Sequence, residues 1–244
     1  MDKCDDNAID EKGSEAKNQN ETDTGSDNPF LTRLLSENEI LHLSGNFEDF
    51  ARFDRQYDIR LLTIDEGRIE SFAYFVERFP NLQGLWVFNV YFGESARAIP
   101  YIEGLRDLRV WHPNALDLMA NNSHISGYLS INLGYFDEEN LVVVWPGHVD
   151  LAPLYNFTNM RSFTFAGDAD SIDAIALLNA QSLVTINFSR GVSDIINLKY
   201  LANLPNLTDI FLPLITWSWV RPNFDWGYYL EPFERNGIYV GWGS

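Results

Sequence analysis

Four histidines and one cysteine are the side chains of this chain best suited to metal binding or nucleophilic catalysis. His42, His112, His124 and His148 lie far apart in the sequence, and Cys4 stands alone near its start. Zinc sites need closely spaced groups of such ligands, and catalytic sites need a nucleophile held beside a base. The chain also has no Gly-x-x-x-x-Gly-Lys phosphate loop, no Gly-x-Ser-x-Gly elbow and no His-Glu-x-x-His motif. We therefore expect no catalytic residues, no metal and no cofactor.

The run from Gly167 to Asp173 places carboxylates at alternating positions, a spacing that suits calcium. It lacks the glycine at the sixth position and the closing bidentate glutamate of a calcium loop. We expect instead a solvated turn in which Asp170 or Ser171 caps a following helix.

The charge of the chain limits its partners. Lys and Arg number 17 against 35 Asp and Glu, which gives a formal net charge of −18. This charge repels the phosphate backbone of nucleic acids and favours a basic protein partner. No apolar run approaches the ~20 residues of a membrane-spanning helix, so we expect no membrane span.

Residues 1–28 form a block of their own, with nine acids, three lysines and a net charge of −6. Such a segment cannot bury enough apolar area to offset the entropy of ordering, which predicts a disordered acidic tail. No charged-then-apolar signal peptide opens the chain, which favours a cytoplasmic protein. The alternative is a lipid-anchored surface protein whose signal peptide has been removed, because Cys4-Asp5-Asp6 resembles the start of some mature bacterial lipoproteins.

The elements that would position any functional group follow from a repeat: apolar, two variable, apolar, one variable, apolar. It occurs at Ile59-Leu62-Ile64, Leu82-Leu85-Val87, Leu105-Leu108-Val110, Met160-Phe163-Phe165, Leu183-Ile186-Phe188 and Leu207-Ile210-Leu212. Within each group of three, successive starts lie 23 or 24 residues apart. A fixed period of this length predicts stacked repeats, with one short strand in each. The intervening 55 residues from Leu105 to Met160 are expected to hold two irregular copies, with strands at Leu129-Ile131 and Val143-Trp145.

The second half of each repeat is expected to return as a short helix or irregular turn. Ile69, Phe72, Phe75, Val76 and Phe79 have helical spacing, and Pro80 would end that helix. The same spacing recurs from Ile172 to Leu178 and from Leu198 to Leu204. The phrase Pro-Asn-Leu also recurs at the same place in two repeats, as Pro80-Asn81-Leu82 and Pro205-Asn206-Leu207.

The stretch from Ser193 to Leu214, which contains Leu-Ala-Asn-Leu-Pro-Asn-Leu-Thr-Asp-Ile-Phe-Leu, resembles the short repeats of internalin-like leucine-rich-repeat proteins. The resemblance covers about residues 38–215 and is strongest in the last three repeats. It implies an α/β solenoid: a right-handed coil with a parallel sheet on its concave face, short helices or turns on its convex face, and terminal caps. The chain departs from the family at one position, three residues after the last strand leucine. There the family usually has Asn, whereas here Asn46 fits and Val90, Pro113 and Gly191 do not.

We predict three parts of the chain: the tail (1–28), the solenoid with its N-terminal cap (29–215), and an aromatic C-terminal cap (216–244). Phe30, Leu31, Leu34 and Leu35 have the spacing of a capping helix. The C-terminal segment is rich in Trp and Tyr, and a second binding surface is the alternative interpretation.

Side chains alternate along a strand, so the residues between the core positions should face a partner. The predicted partner-binding residues are Trp86, Phe88, Arg109, Trp111, Thr63, Asp65, Ser130, Asn132, Asn187 and Phe211. Trp and Arg are enriched among residues that dominate interface energy, so the group from Trp86 to Trp111 is the expected centre. We therefore expect a monomeric, non-enzymatic module that binds a protein through its concave face. The alternative is a toxin-neutralising immunity protein that covers a basic enzyme.

Overall fold

The computed structural model describes residues 35–137, 142–188, 191–213 and 226–243. The predicted tail, Cys4 and most of the predicted N-terminal capping helix lie outside these ranges. So do Trp217, Trp219 and Phe224 of the aromatic C-terminal segment.

The described residues form an α/β fold in which short strands predominate. The strands are β1 Ile40–Phe47, β2 Leu61–Ser71, β3 Gly84–Ser95, β4 Asp107–Trp111, β5 Tyr128–Asn132, β6 Tyr135–Asp137, β7 Val142–Val144, β8 His148–Asp150, β9 Ser162–Phe165, β10 Ser171–Asp173, β11 Thr185–Phe188, β12 Ile195–Ile196, β13 Asp209–Pro213 and β14 Tyr239–Gly243. The α-helices are α1 Phe75–Arg78, α2 Ala115–Leu118 and α3 Trp226–Arg235. The 3₁₀ helices are Glu37–Glu39, Ala120–Asn122, Ala152–Asn156, Ile175–Asn179 and Leu198–Asn203.

Nine of the strands form one open sheet in the order β1-β2-β3-β4-β5-β9-β11-β13-β14, and every neighbouring pair is parallel. The sheet is not closed, so β1 and β14 are its edges. Strands β8, β10 and β12 form a second, smaller parallel sheet. The architecture is therefore repeat-like, because each successive segment adds one strand beside the last.

The register of the large sheet places the predicted core residues in continuous rows. Leu85 pairs with Leu108, Leu108 with Leu129, and Leu129 with Phe163. The row continues through Ile186 and Ile210. All six side chains are fully buried, so the predicted hydrophobic spine is confirmed.

The expected helix from Ile69 to Phe79 is only partly formed. Ile69 lies in β2, which runs on to Ser71, and the helix is confined to the four residues of α1. Phe72, Phe75 and Phe79 instead pack around Phe50, with the Phe50 and Phe75 ring centroids 4.8 Å apart. Mutual burial of these rings determines the local path, and a hydrophobic spacing can be met without a continuous helix.

The segment between Leu105 and Met160 differs from the prediction of two main-sheet strands. Among the described residues that follow β4 in this segment, only β5 enters the large sheet, and it pairs directly with β9. A strand does form close to the predicted Val143-Trp145, at Val142–Val144, but the prediction that it stacks as a repeat strand is wrong, because it pairs antiparallel with Tyr135–Asp137 as a separate hairpin. The extra length is thus accommodated outside the sheet, which leaves the row of core residues unbroken.

Asparagine side chains link successive repeats at places that the sequence analysis did not assign. Asn81 Nδ2 donates to the carbonyl oxygen of Tyr57 at 2.8 Å, and Asn206 Nδ2 donates to that of Gln181 at 2.8 Å. Asn179 makes the same contact with Tyr155 at 3.2 Å. The recurring Pro-Asn-Leu phrase therefore has a physical reason: its amide satisfies a backbone acceptor one repeat earlier.

Asn122 is a fully buried member of this set. Its Nδ2 donates to the carbonyl oxygens of Ile99 and Pro100, at 3.4 and 3.0 Å, and its Oδ1 accepts from the Ile102 N–H at 3.1 Å. One side chain thus pairs three backbone groups of the preceding turn.

The C-terminal segment contributes one helix and one edge strand. Phe233 of α3 is fully buried, and Asn236 just beyond it donates to the Ala202 carbonyl oxygen at 2.7 Å. Strand β14 then pairs with β13, with Val240 beside Ile210. No helix among the described residues is both long and apolar enough to cross a bilayer.

We expect Leu85→Ala to lower the free energy of unfolding by about 2–5 kcal/mol, because it removes a fully buried side chain and leaves a cavity in the row. Val76 is an aliphatic residue with an exposed side chain, so Val76→Ala should change stability by less than about 0.5 kcal/mol. Urea unfolding followed by tryptophan fluorescence measures both. Equal effects of the two substitutions would contradict the assigned register.

Asn122→Leu should cost about 3 kcal/mol or more, because three backbone groups would lose their partner in a buried place. Asn206→Ala, at an exposed position with one such bond, should cost about 1 kcal/mol. Urea unfolding of both variants tests this, because the midpoint concentration should fall further for Asn122→Leu than for Asn206→Ala. A more severe loss in Asn206→Ala would show that the buried amide does not hold the turn.

Candidate functional site

We use the term open face for the side of the large sheet whose residues alternate with the core rows. One register row across it contains His42, Thr63, Trp86, Arg109, Ser130, Thr164, Asn187 and Phe211. The next row contains Asp65, Phe88, Trp111 and Asn132. All ten predicted partner-binding residues therefore lie on this face, in two adjacent rows.

The largest side chains of the open face meet on β3, β4 and β5. We call Trp86, Phe88, Arg109, Trp111 and Tyr128 the aromatic cluster. The Phe88 and Trp111 ring centroids are 4.7 Å apart in an edge-to-face arrangement, and those of Trp86 and Phe88 are 6.4 Å apart. Trp111 is 38% exposed, and Trp86 and Phe88 are half-buried. The cluster thus presents apolar area to solvent on a rigid sheet.

Parallel register explains why these residues meet. Trp86 pairs with Arg109 and Phe88 with Trp111, so each ring has a large neighbour on the next strand about 4.8 Å away. The Arg109 guanidinium carbon lies 3.8 Å from the Trp86 ring centroid and 4.8 Å from that of Tyr128. The cation is therefore held between two aromatic rings, an arrangement that stabilises it electrostatically.

Three polar atoms in this part of the face are buried without a hydrogen-bond partner: Thr63 Oγ1, Trp86 Nε1 and Arg109 Nε. They belong to directly neighbouring residues of one row. A buried polar atom without a partner typically costs about 1–3 kcal/mol. The row therefore contains hydrogen-bonding capacity that the fold does not use.

Tyr128 and Asp107 were missed by the sequence analysis. Both are the first residues of their strands, and extending the alternation two residues back from Ser130 and Arg109 would have placed them on the open face. Asp107 Oδ1 accepts the Tyr128 N–H at 3.0 Å. A Cβ on Gly127 would lie 2.2 Å from that oxygen, so the contact requires glycine at this position.

Asp107 is buried, and its burial raises the pKa of the carboxyl. The Tyr128 N–H and the positive charges of Arg106 and Arg109 act in the opposite direction and lower the pKa, with smaller effect. Asp107 and Arg109 are both among the described residues, and their side chains form no ion pair with each other.

Small residues of the open face are less accessible than the pattern predicts. Thr63 and Ser130 are 8% and 3% exposed, although both lie on the predicted side of the sheet. Their short side chains lie between larger neighbours on the adjacent strands, Trp86 beside Thr63 and Arg109 beside Ser130. A partner would therefore meet the large side chains first.

The remaining predicted residues lie at the margin of the cluster or far from it. Asp65 is exposed and accepts a hydrogen bond from Asn89 Nδ2 at 3.4 Å. Asn132 is half-buried, and its amide is used within the fold, donating to the Ala166 carbonyl oxygen at 3.3 Å and accepting the Gly134 N–H at 2.9 Å. These two residues border the cluster.

Asn187 and Phe211 lie three and four strands from β4. At about 4.8 Å per strand, Phe211 is roughly 19 Å from Trp111. Phe211 instead contacts Tyr239 of β14, with ring centroids 6.2 Å apart. The structure therefore does not bring the ten predicted residues together at one point.

Histidines and carboxylates of the described ranges are dispersed. His148 Nδ1 and Ser171 Oγ are 2.8 Å apart, but these exposed residues pair directly between β8 and β10, so the contact is a cross-strand neighbour pair. Burial lowers the pKa of His112. Among the described residues, no three His, Cys, Asp or Glu side chains are grouped closely enough to hold a metal ion.

The expected cap at Asp170 or Ser171 is wrong, because Ser171 lies within β10 and bonds His148. Asp173 performs this local role instead: its Oδ1 accepts the Ile175 N–H at 3.0 Å at the start of the 3₁₀ helix. The same oxygen accepts Asn197 Nδ2 at 2.8 Å, so the carboxylate also joins two repeats.

Two surface hollows among the described residues lie away from the aromatic cluster. One is lined by Ala202, Leu204, Leu207 and Ile238, and another by Leu116, Leu133, Trp145 and Val149 among others. Neither is lined by a residue of the cluster.

No protein-family model matches this chain, and no curated protein is recognisably similar to it. The assignment of function therefore depends on the geometry of the site.

We expect Asp107→Asn to stabilise the protein relative to wild type more at pH 7 than at pH 4. Because the folded protein raises the pKa of Asp107, it holds this proton more tightly than the unfolded chain does. The stability from this group is complete below the ordinary pKa of about 3.9 and is lost as pH rises through the folded value. Asparagine keeps an acceptor oxygen for Tyr128 and removes the buried charge.

Urea unfolding at several pH values between 4 and 7 measures the difference. Asp117→Asn, which removes the same charge at an exposed position, is the matched control. An advantage of Asp107→Asn that shrinks as pH rises would show that the buried carboxylate is not disfavoured in the folded protein.

Proposed function

We propose that this protein is a non-enzymatic module that binds a protein partner through the open face, with the aromatic cluster at the centre of the interface. The proposal rests on the group of partly exposed rings on β3 and β4, where Trp111 is 38% exposed and lies beside Phe88. Rings of this kind add nothing to the buried core rows. Exposed apolar groups on rigid elements mark interaction sites, and Trp and Arg dominate interface energies.

We also propose that the repeats form a leucine-rich-repeat solenoid whose concave side is the open face. The 23- or 24-residue period and the in-register parallel strands support this architecture. Neighbouring strands lie closer together than the 3₁₀ helices and turns on the other side of the repeats do. Stacked repeats would therefore curve so that the sheet forms the concave side. A concave face would let a partner contact several strands at once.

A protein suits this surface better than a small molecule does. Small ligands are held in concave pockets that cover most of their surface, and the two surface hollows described above are not lined by residues of the aromatic cluster. A group of aromatic rings bordered by Asp65 and Asn132 has the arrangement of a protein interface, with apolar residues at the centre and polar residues at the rim.

The immunity-protein alternative draws support from the charge of the chain. A net charge of −18 would accelerate encounter with a basic enzyme through long-range attraction. In that function the aromatic cluster would anchor the complex and the acidic surface would steer it. A basic partner that loses enzymatic activity on binding distinguishes this function from general adaptor binding.

We expect Trp111→Ala to weaken partner binding by about 2 kcal/mol, roughly 30-fold, because it removes an exposed ring at the centre of the surface. Folding should be nearly unchanged, since the ring lies outside the core rows. Affinity capture from cells of the source organism, followed by titration of the purified partner by calorimetry, measures the effect.

Tyr155→Ala is the matched control, because Tyr155 is 62% exposed on a 3₁₀ helix outside the large sheet. It should bind like wild type. If both variants retain full affinity while remaining folded, the open face is not the interface. A loss of folding in Trp111→Ala would show that the ring is structural.

A further inference from the structure

Arg109 is the most unusual residue of the open face. Its guanidinium is held between Trp86 and Tyr128, so its plane is oriented by the fold before any ligand arrives. The guanidinium makes no hydrogen bond and no ion pair with any residue in the described ranges. A positive charge held between two rings loses less conformational freedom on binding than a freely rotating side chain does.

The polar atoms around Arg109 favour one kind of ligand atom. Arg109 Nε and Trp86 Nε1 are donors only, and Thr63 Oγ1 can donate as well as accept. Since all three lack partners and lie in one row, the row needs an acceptor oxygen. Their burial means that a small shift of the Arg109 side chain must accompany the approach of that oxygen.

The rest of the chain restricts which anion can approach. Asp107 lies near Arg109 and Asp65 lies two strands away, within a chain of net charge −18. This field opposes polyanions and phosphate dianions more strongly than a single carboxylate. The adjacent rings of Phe88 and Trp111 would cover an apolar side chain next to that carboxylate.

We propose that Arg109 binds a carboxylate of the partner protein, an Asp or Glu side chain flanked by an apolar residue, with Trp86 and Thr63 as supporting hydrogen-bond donors. The guanidinium fork pairs with a carboxylate through two parallel N–H···O bonds. This inference rests on the proposed function and adds the chemical group that the site recognises.

Three model peptides test the proposal on the full chain: acetyl-Leu-Glu-Leu-amide and its Gln and Lys counterparts. The readout is the NMR signal of the Arg109 Nε–H and of the Trp86 Nε1–H, assigned with Arg109→Gln and Trp86→Phe respectively. We expect the Glu peptide to shift both signals saturably, with a Kd at least about tenfold below that of the Gln peptide. The Lys peptide should leave them unchanged.

Arg109→Gln should abolish the preference for Glu over Gln, and Arg106→Gln, a nearby exposed arginine, should keep it. Arg109→Lys retains the charge without the planar fork and should bind the Glu peptide more weakly, which keeps the test valid if Arg109→Gln does not fold. Equal binding of Glu and Gln peptides, a response to the Lys peptide or no response would overturn the proposal.

The chain's own acidic tail is the competing occupant. If replacing its nine acids by amides shifts the Arg109 and Trp86 signals without any peptide, the tail occupies the site and the proposal is wrong. Failure of the peptide test together with Trp111-dependent partner capture would overturn only this inference. Peptide binding without Trp111-dependent capture would overturn the proposed function instead.

Discussion

In-register pairing of parallel strands is the constraint on which the rest of this structure depends. Each strand places two apolar side chains against those of its neighbours, so that Leu85, Leu108 and Phe163 belong to one buried row. A shift of one residue in the register would move the core-facing side chains of a strand to the open face. Because the same register also orders the opposite face, the core and the candidate site are positioned by one set of backbone hydrogen bonds.

The register of the core rows is maintained although the connections between strands vary. Of the described residues between β4 and β9, only β5 belongs to the large sheet, and the remainder includes the β6–β7 hairpin. Outside the sheet, amide side chains such as Asn81 and Asn122 pair backbone groups of the preceding repeat. These bonds satisfy carbonyl groups in turns that lack regular helices, which explains how short 3₁₀ segments can cover the core.

The open face combines one feature that stabilises the folded state with two that destabilise it. Stacking of Arg109 between Trp86 and Tyr128 stabilises a fixed cation. The unpaired donors in the same row destabilise the folded state. The burial of Asp107, which raises the pKa of its carboxyl, destabilises it as well when that carboxyl is ionised. Such costs are typical of surfaces arranged for a ligand, because groups that a partner will pair cannot also be paired within the fold.

The sequence by itself determined the repeat period, the rows of core residues and the side of the sheet on which Trp86, Arg109 and Trp111 lie, because alternation along a strand is a local property. It did not determine that Val142–Val144 leaves the sheet or that Ile69 belongs to a strand, since those outcomes depend on competition among distant partners. The meeting of Arg109 with Tyr128, and the separation of Phe211 from both, were decided by tertiary structure alone. Which strand lies beside which is a non-local fact, and only the assembled sheet contains it.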